Sequence, residues 1–239
     1  MRRVAAHVFV EDVAAPAVEV GEADFHHLSR VLRLRPGEAV SASDGAGWSR
    51  LCSWAGAPLL EPAGDAVFER RPEPEVAVGF ALTKGAHPEW AVQRLTEAGV
   101  DRVVLMTTAH CVARWAPADV PRRLGRLREV ARQAAMQSRR SWLPAVEGPL
   151  AFSELVGAGP AGVALAVPNG AALSLATPTV LVGPEGGWAG EELDAVRTHV
   201  ALGPHVLRAE TAALAAGLLL VALRAGLMGE VPAGRAGEP

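Results

Sequence analysis

The chain has 239 residues, half of them hydrophobic, so it can form one large domain or two modest ones with a sizeable core. Its net charge of −3 argues against a protein that binds nucleic acid through its overall charge. Its two cysteines, Cys52 and Cys111, form no metal or disulfide pattern, which is consistent with a reducing compartment. Acids interrupt the N-terminal sequence early, and the longest apolar run, 212–223, is shorter than the ~20 residues that span a bilayer. We therefore expect a soluble, cytoplasmic protein without a signal peptide or membrane span.

The first part of the chain, 1–72, is predicted to be a small β-rich domain. Short apolar or β-branched runs, typical of strands, occur at 8–10, 18–20, 39–43, 49–54 and 67–68. Asp44-Gly45 predicts a hairpin turn between two of them. The linker at 69–75 is charged and contains two prolines, which fit poorly into a sheet or a helix. We therefore place the domain boundary near Pro72.

One helix interrupts this domain and is predicted at 22–34, where a Pro-Gly pair soon ends it. His27, Arg30 and Arg33 recur in it at a spacing of three, which places them on one helix face. That face is either a solvated basic surface or a contact for an RNA backbone.

After the linker, strand and helix patterns alternate, which indicates an α/β domain at 73–239 with a mostly parallel sheet. Strands are predicted at 76–82, 102–107, 162–167 and 179–182, and helices at 88–98 and 121–138, with two more after the last strand. The predicted fold is therefore α/β, with the β-rich domain in front.

Arginines concentrate around the long helix at 121–138. From Arg114 to Arg140 the chain carries an excess of six positive charges, whereas its first 75 residues carry an excess of four negative ones. Binding to phosphate depends on such a local patch, so Arg114, Arg139 and Arg140 are candidate RNA contacts, unless the patch is a solvated helix face. Lys84 is the only lysine among 23 basic residues, and it joins the candidates because an ammonium is a compact point charge.

Two loops near the C-terminus form the most informative part of the sequence. The strand at 179–182 ends in the glycine loop GPEGG at 183–187, and LGPHVLRAETA at 202–212 enters a second helix. Glycines let backbone groups approach a ligand closely. The first loop has neither of the common phosphate-binding spacings, and Glu185 would repel a pyrophosphate, so a cationic or neutral ligand suits it better. A plain tight turn is the alternative.

These two motifs, in this order, resemble the cofactor loops of the SPOUT methyltransferases, and most closely those of the bacterial 16S rRNA (uracil-N3)-methyltransferases. HLSRVLR at 27–33, QRLTEAGV at 93–100 and AHCV at 109–112 extend the resemblance over almost the whole chain. Gln137, Arg140 and Pro144 fit a further motif of the family. The chain departs from the family at Met136, where Glu is common, and at His205, where Arg is common.

The resemblance implies a small PUA-like β-barrel followed by a SPOUT α/β domain with a C-terminal trefoil knot. It implies S-adenosylmethionine as the cofactor and 16S rRNA in the assembled small ribosomal subunit as the partner. The implied cofactor-binding residues are Val182, Gly183, Pro184, Glu185, Gly186, Gly187, Leu202, Gly203, Val206, Leu207 and Arg208. The expected RNA contacts are His27, Arg30, Arg33, Lys84, Arg114, Arg139 and Arg140.

The implied reaction sets requirements for the catalytic groups. N3 of uracil is an imide nitrogen and a poor nucleophile until its proton leaves, so a base is needed. Glu210 is the candidate base, and Arg208 is the candidate for stabilising the negative charge that develops on the ring. A salt bridge that locks the loop to the helix is the alternative role for this pair. The methyl donor is an activated sulfonium, so no metal is expected.

The C-terminal helix, predicted at 211–223, is apolar nearly all round, although a helix that covers one sheet face needs only one apolar stripe. Its many small residues allow a second helix to approach closely, and we expect a homodimer, which the resemblance also implies. Two other functions stay open. One is a non-enzymatic RNA-binding or ribosome-assembly factor, and the other is a knotted methyltransferase that acts on a different RNA.

Overall fold

A computed structural model of the chain describes residues 4–83, 85, 87–157 and 162–229. The chain divides into two compact units. The first consists of the residues up to Arg71 together with Arg132–Leu143, and the second of Pro72–Ala131 together with the residues from Pro144 on. The first unit thus contains a segment from the middle of the chain, which no pattern in the sequence predicted.

The first unit is built on a five-stranded sheet in the order β1-β3-β4-β5-β2. Its strands are β1 (Ala6–Phe9), β2 (Val18–Glu19), β3 (Ala39–Ser43), β4 (Trp48–Trp54) and β5 (Leu59–Phe68). β1 and β3 are parallel, and the other pairs are antiparallel. Inward-facing side chains such as Val8, Val40 and Trp54 form its core. Each predicted strand is present, but β5 is much longer than predicted because most of its side chains are not buried and leave no apolar alternation.

The single helix predicted at 22–34 is wrong in its second half. The α-helix α1 covers only Glu22–His26, and a π-helical turn continues over His27–Val31. Because π-helical hydrogen bonds run from i to i+5, residues three apart no longer align on one face. Arg33 lies beyond the turn with a left-handed φ of 53°. His27, Arg30 and Arg33 are all exposed, but they do not share a helix face.

One buried titratable group makes the first unit sensitive to acid. His7 in β1 is buried, and its Nδ1 lies 2.7 Å from Ser41 Oγ. Burial, and to a smaller extent the charge of Arg139, lowers the pKa of His7 from 6.5 to about 4. As the pH falls below 6.5, His7 is protonated in the unfolded state but stays neutral in the folded state. The free energy of unfolding therefore decreases as the pH falls from 6.5 to about 4.

We expect His7→Asn to remove this loss, because the amide can keep a hydrogen bond to Ser41 but does not titrate. Between about pH 7 and about pH 4.5, the wild type should lose roughly 2 kcal/mol more than the variant. Urea unfolding at the two pH values measures the difference. A parallel loss in both proteins would contradict the assignment.

The second unit contains a six-stranded, fully parallel sheet in the order β11-β9-β10-β6-β7-β8. Its strands are β6 (Ala77–Ala81), β7 (Arg102–Thr107), β8 (Ala145–Ala151), β9 (Val163–Ala171), β10 (Thr179–Val182) and β11 (His199–Val200). The further helices are α2 (His87–Ala98), α3 (Val120–Ser138), α4 (Phe152–Gly157), α5 (Gly190–Ala195) and α6 (Ala209–Arg224), and the unit boundary passes through α3. The predicted parallel α/β arrangement is confirmed. β8 was missed because Gly148 and Pro149 interrupt it and only Val146 is buried.

Helix α6 packs against α2 and the sheet through its small residues. A Cβ on Gly217 would lie 2.6 Å from Leu95 Cδ2 and 2.8 Å from Val100 Cγ2, so only glycine permits this approach. At the end of the helix Arg224 pairs with Asp101, and both side chains are almost completely buried. The pair fixes the C-terminal end of α6 to the segment that leads into β7.

Candidate functional site

The glycine loop at 183–187 begins where β10 ends. β10 lies between β9 and β6, and ligands of parallel sheets bind beyond the carboxyl ends of such central strands. Gly187 has a φ of 73°, a left-handed conformation that favours glycine. A Cβ on Gly183 would lie 3.0 Å from Trp188 Cε2, so the absence of a side chain there makes room for the indole ring.

Trp188 and Glu192 hold the residues after the loop. The indole Nε1 of Trp188 donates to the carbonyl of Ala166 on β9 at 3.0 Å. The buried carboxylate of Glu192 accepts from Ala189 N and from Ala109 N, each at 2.9 Å. The start of α5 is therefore tied both to β9 and to the loop that follows β7.

His110, in that same loop after β7, contacts the glycine loop directly. Its Nδ1 lies 3.2 Å from the carbonyl oxygen of Gly186 and 3.1 Å from that of Gly187. Since carbonyls only accept, Nδ1–H must be the donor and Nε2 is left available to solvent or a ligand. A Cβ on Gly186 would lie 3.1 Å from His110 Cβ, so Gly186 lets the two loops approach each other.

The second loop leads from 201 into α6. Arg208 is the N-cap residue of α6 and makes no side-chain capping hydrogen bond. Glu210 lies in the first turn of that helix, half-buried, with its Oε1 3.3 Å from Nδ1 of the exposed His87. Within the part of the chain that the structure describes, Glu210 therefore pairs with His87 and not with Arg208. The salt bridge that was the alternative for Arg208 and Glu210 is absent there.

A cleft of about 300 Å³ opens between the two loops. The predicted cofactor residues that line it are Val182, Gly183, Pro184, Glu185, Gly187, Leu202, Gly203, Val206 and Leu207. Gly186 and Arg208 do not belong to the lining. Gly186 faces His110 instead, and Arg208 lies where the loop passes into α6.

The chain matches known proteins over both units. Residues 70–221 match the RNA methyltransferase domain family, and residues 20–52 match the RNA methyltransferase PUA domain. The ribosomal RNA small subunit methyltransferase E of Mycobacterium bovis is 37% identical over 231 residues, which cover 86% of each chain. The chain belongs to this methyltransferase E family.

Two further proteins of the same name support the assignment and the fold. The methyltransferase E of Synechocystis sp. is 34% identical over 224 residues, which cover 84% of this chain and 72% of that one. A crystal structure of the Neisseria gonorrhoeae protein, bound to S-adenosyl methionine, is 24% identical and superimposes with a TM-score of 0.78 over 91% of this chain and 97% of that one. The predicted PUA-like and SPOUT-like parts are thereby confirmed, and the C-terminal trefoil knot stays a prediction.

The cleft fits the cofactor of a methyltransferase E. Among the described residues that line the cleft, Glu185 is the one acid and none is a lysine or arginine, so these side chains place no fixed positive charge beside a sulfonium cation. The walls are mostly apolar, and the backbone groups of the two loops offer donors and acceptors to the edges of a flat ring. S-Adenosylmethionine combines these features, and the residues of the two loops that line the cleft would hold it.

His87 and His110 are candidate site residues that the sequence did not single out. His110 lies 76 positions before Gly186, and His87 lies far from Glu210 in the chain, so no local spacing links either pair. Both histidines follow the carboxyl ends of central strands, β6 and β7. That position in a parallel sheet is the one signal that could have indicated them.

The predicted RNA contacts lie in both units. Arg139 is exposed, has a left-handed φ of 57° and donates to Val4 O at 2.6 Å, and Arg140 beside it is half-buried. Both belong to the first unit, as do His27, Arg30 and Arg33, whereas the exposed Arg114 belongs to the second. Lys84 lies outside the described residues.

Part of the arginine patch is neutralised within the chain. Arg122 pairs with Asp119 at 3.0 Å, Arg126 pairs with Glu89 at 3.3 Å, and Arg132 pairs with Asp24. Met136, one of the two departures from the family resemblance, packs against the core of the first unit, which explains an apolar side chain there. The exposed arginines that remain are the better candidates for RNA.

None of the described helices is long and apolar enough to cross a membrane. No group of three or more His, Cys, Asp or Glu side chains in the described ranges is placed to hold a metal ion.

Proposed function

We propose that the protein transfers a methyl group from S-adenosylmethionine to N3 of a uridine in the 16S rRNA of the small ribosomal subunit. The observation that carries this proposal is the cleft between the two loops, in a chain 37% identical to a ribosomal RNA small subunit methyltransferase E. The bound cofactor supplies a methyl group that its sulfonium has already activated. The protein then has to align the uracil with that group and exclude water.

Glu210 and His87 provide a route for the proton of N3. Glu210 Oε1 is the candidate acceptor, and its neighbour His87 Nδ1, at 3.3 Å, lies on a more exposed side chain. A proton taken up by the carboxylate can pass to the imidazole and from there to solvent. Arg208, two residues before Glu210, is the candidate for stabilising negative charge on the uracil oxygens.

Nucleoside analysis tests the function. Expression in a bacterial strain that lacks its own enzyme should restore 3-methyluridine to 16S rRNA. With the purified protein, Glu210→Gln should lower the rate of methyl transfer by about 10²- to 10⁴-fold and leave the calorimetric affinity for S-adenosylmethionine unchanged. Methylation of tRNA alone would favour a different substrate, and failure to bind S-adenosylmethionine would favour a non-enzymatic RNA-binding factor.

We further propose that the substrate is the assembled small subunit and that the protein acts in the cytoplasm, where subunits are assembled. Methyl transfer to purified small subunits, compared with transfer to free 16S rRNA, separates the two substrates. Equal rates on both would contradict the preference for the subunit.

We also infer that the protein is a homodimer formed through α6. Leu218 on this helix is 49% exposed, and the exposed Leu227 and Met228 follow the helix. Leu219, in contrast, packs against the core of its own unit, so a charge there would test stability and not association. The exposed apolar side of α6 is the surface that a second copy would cover.

Leu218→Glu should convert the dimer to a monomer and abolish methyl transfer, because the buried charge would have no partner in the interface. Sedimentation at micromolar concentration measures the state. Leu59→Glu, at another exposed leucine in the first unit, is the matched control and should remain dimeric. A wild type that is a monomer and still active would refute the inference.

A further inference from the structure

Three aromatic side chains form an exposed surface on the first unit, here called the aromatic platform: Trp48, Phe68 and Trp142. Trp48 and Phe68 are direct cross-strand partners on β4 and β5, with ring centroids 5.3 Å apart. Trp142 meets Phe68 edge-on at 6.0 Å. Trp48 is 45% exposed and Phe68 48% exposed, which is unusual for adjacent large apolar side chains and points to a binding surface.

The third ring of the platform is held in a fixed position. Trp142 Nε1 donates to Glu69 O at 2.9 Å, and the backbone at Trp142 bridges to Ala46. Gly47 has a φ of 100°, and a Cβ there would lie 2.6 Å from Trp142 Cζ2. Any side chain at Gly47 would therefore displace the indole, and the platform is preorganised without a ligand.

Two arginines flank the platform. The guanidinium of Arg71 lies 4.6 Å from the centre of the Trp142 ring, and its neighbour Arg70 is exposed. Two acids beside these residues, Asp44 and Glu69, accept hydrogen bonds from inside the unit. Asp44 Oδ1 accepts from Ala46 N at 2.7 Å and from Trp48 N at 3.1 Å, and the carboxylate of Glu69 accepts from Ser141 Oγ.

We propose that the aromatic platform binds an unstacked base of a single-stranded segment of RNA, with the flanking arginines contacting its phosphates. Exposed aromatic faces beside arginines are the chemistry that single-stranded nucleic acids require, because every base has a face that stacks. A second copy of this chain fits worse, since a two-fold contact through the platform would bring Arg70 and Arg71 of both copies together. The inference rests on the proposed function in that the RNA is taken to be the methylated substrate.

Binding of a fluorescent single-stranded fragment of 16S rRNA, measured without cofactor, tests the platform. Trp48→Ala and Phe68→Ala should each weaken binding by about 5- to 100-fold, the range of one lost base stack. Trp48→Tyr should bind nearly as the wild type does, whereas Trp48→Leu should not. Val67→Ala is the matched control, because Val67 is 63% exposed and precedes Phe68 in the strand, so that its side chain points to the other face of the sheet. All these variants should remain folded, and their affinity for S-adenosylmethionine should be unchanged.

Unchanged RNA affinity in both alanine variants would overturn the proposal. So would equal binding by the Trp48→Tyr and Trp48→Leu variants, since that indicates an apolar contact without stacking. A changed oligomeric state with intact RNA binding would overturn it too, because the surface would then contact protein. A wild type that binds the fragment but forms no 3-methyluridine would refute the proposed function and leave the platform standing.

Discussion

Arg224→Met is expected to lower the free energy of unfolding by about 3–5 kcal/mol, because it leaves the carboxylate of Asp101 buried without its cation. Asp101 is 2% exposed. Its Oδ2 contacts Arg224 and also accepts from Val76 N at 2.9 Å. Arg224 donates in addition to Pro74 O at 3.1 Å and to Gly99 O at 3.0 Å. The variant thus loses bonds to three segments that meet at the end of α6.

Urea unfolding at neutral pH measures the effect, and Arg94→Met is its control. Arg94 pairs with Glu97 at 2.6 Å on α2, but both side chains are far more exposed than those of Arg224 and Asp101, so the loss of this pair should cost no more than about 1 kcal/mol. Equal destabilisation by Arg224→Met and Arg94→Met would show that burial of the first pair has no energetic consequence. The double variant Arg224→Met with Asp101→Asn should lose less than the sum of the two single variants.

Gly187→Val is expected to weaken binding of S-adenosylmethionine on the order of 10- to 100-fold. Gly187 lines the cleft and has a φ of 73°, which a β-branched residue reaches only with strain. The loop would move to relieve that strain, and its carbonyl would lose its contact with His110. The remainder of the unit should stay folded, because no atom of the described residues lies within 4 Å of a Cβ at this position.

Calorimetry with the purified variants measures the affinity. Gly190→Ala is the matched control, since Gly190 opens α5, has free space around it and does not line the cleft. Its affinity should equal that of the wild type. An equally tight Gly187→Val variant would remove the glycine loop from the cofactor site.

The strands and helices with strong local patterns could be predicted closely from the sequence. β3, β7 and β10 have the predicted bounds, because each is a short buried run that a turn or glycine ends. α6 begins two residues earlier than predicted, at Ala209. β8 and α4 carry too few buried residues to stand out, and the turn after α1 was missed because apolar spacing does not distinguish an α-helix from a π-helix.

Contacts between distant parts of the chain could not be predicted. The two loops were expected to share one site only because the family resemblance paired them. In the structure they line one cleft. His110 was not expected to support the glycine loop, since only the folded sheet places β7 next to β6, which in turn lies beside β10. The contact between Gly47 and Trp142 could not be predicted either, because no pattern near Gly47 indicates a contact with a tryptophan 95 positions later.

The segment at 132–143 fixes the order in which a growing chain can fold. While α3 is still being synthesised, Arg132 and Trp142 are not yet part of the chain. Asp24 then has no Arg132 to pair with, and the space beside Gly47 that Trp142 occupies is empty. The first unit can be completed only after residue 143 has left the exit tunnel, although synthesis of its strands ended at Phe68. β6 and β7 of the second unit are by then already outside. Many N-terminal domains fold completely before the next domain is synthesised. The first unit of this protein cannot, because it needs residues that follow part of the second unit in the chain.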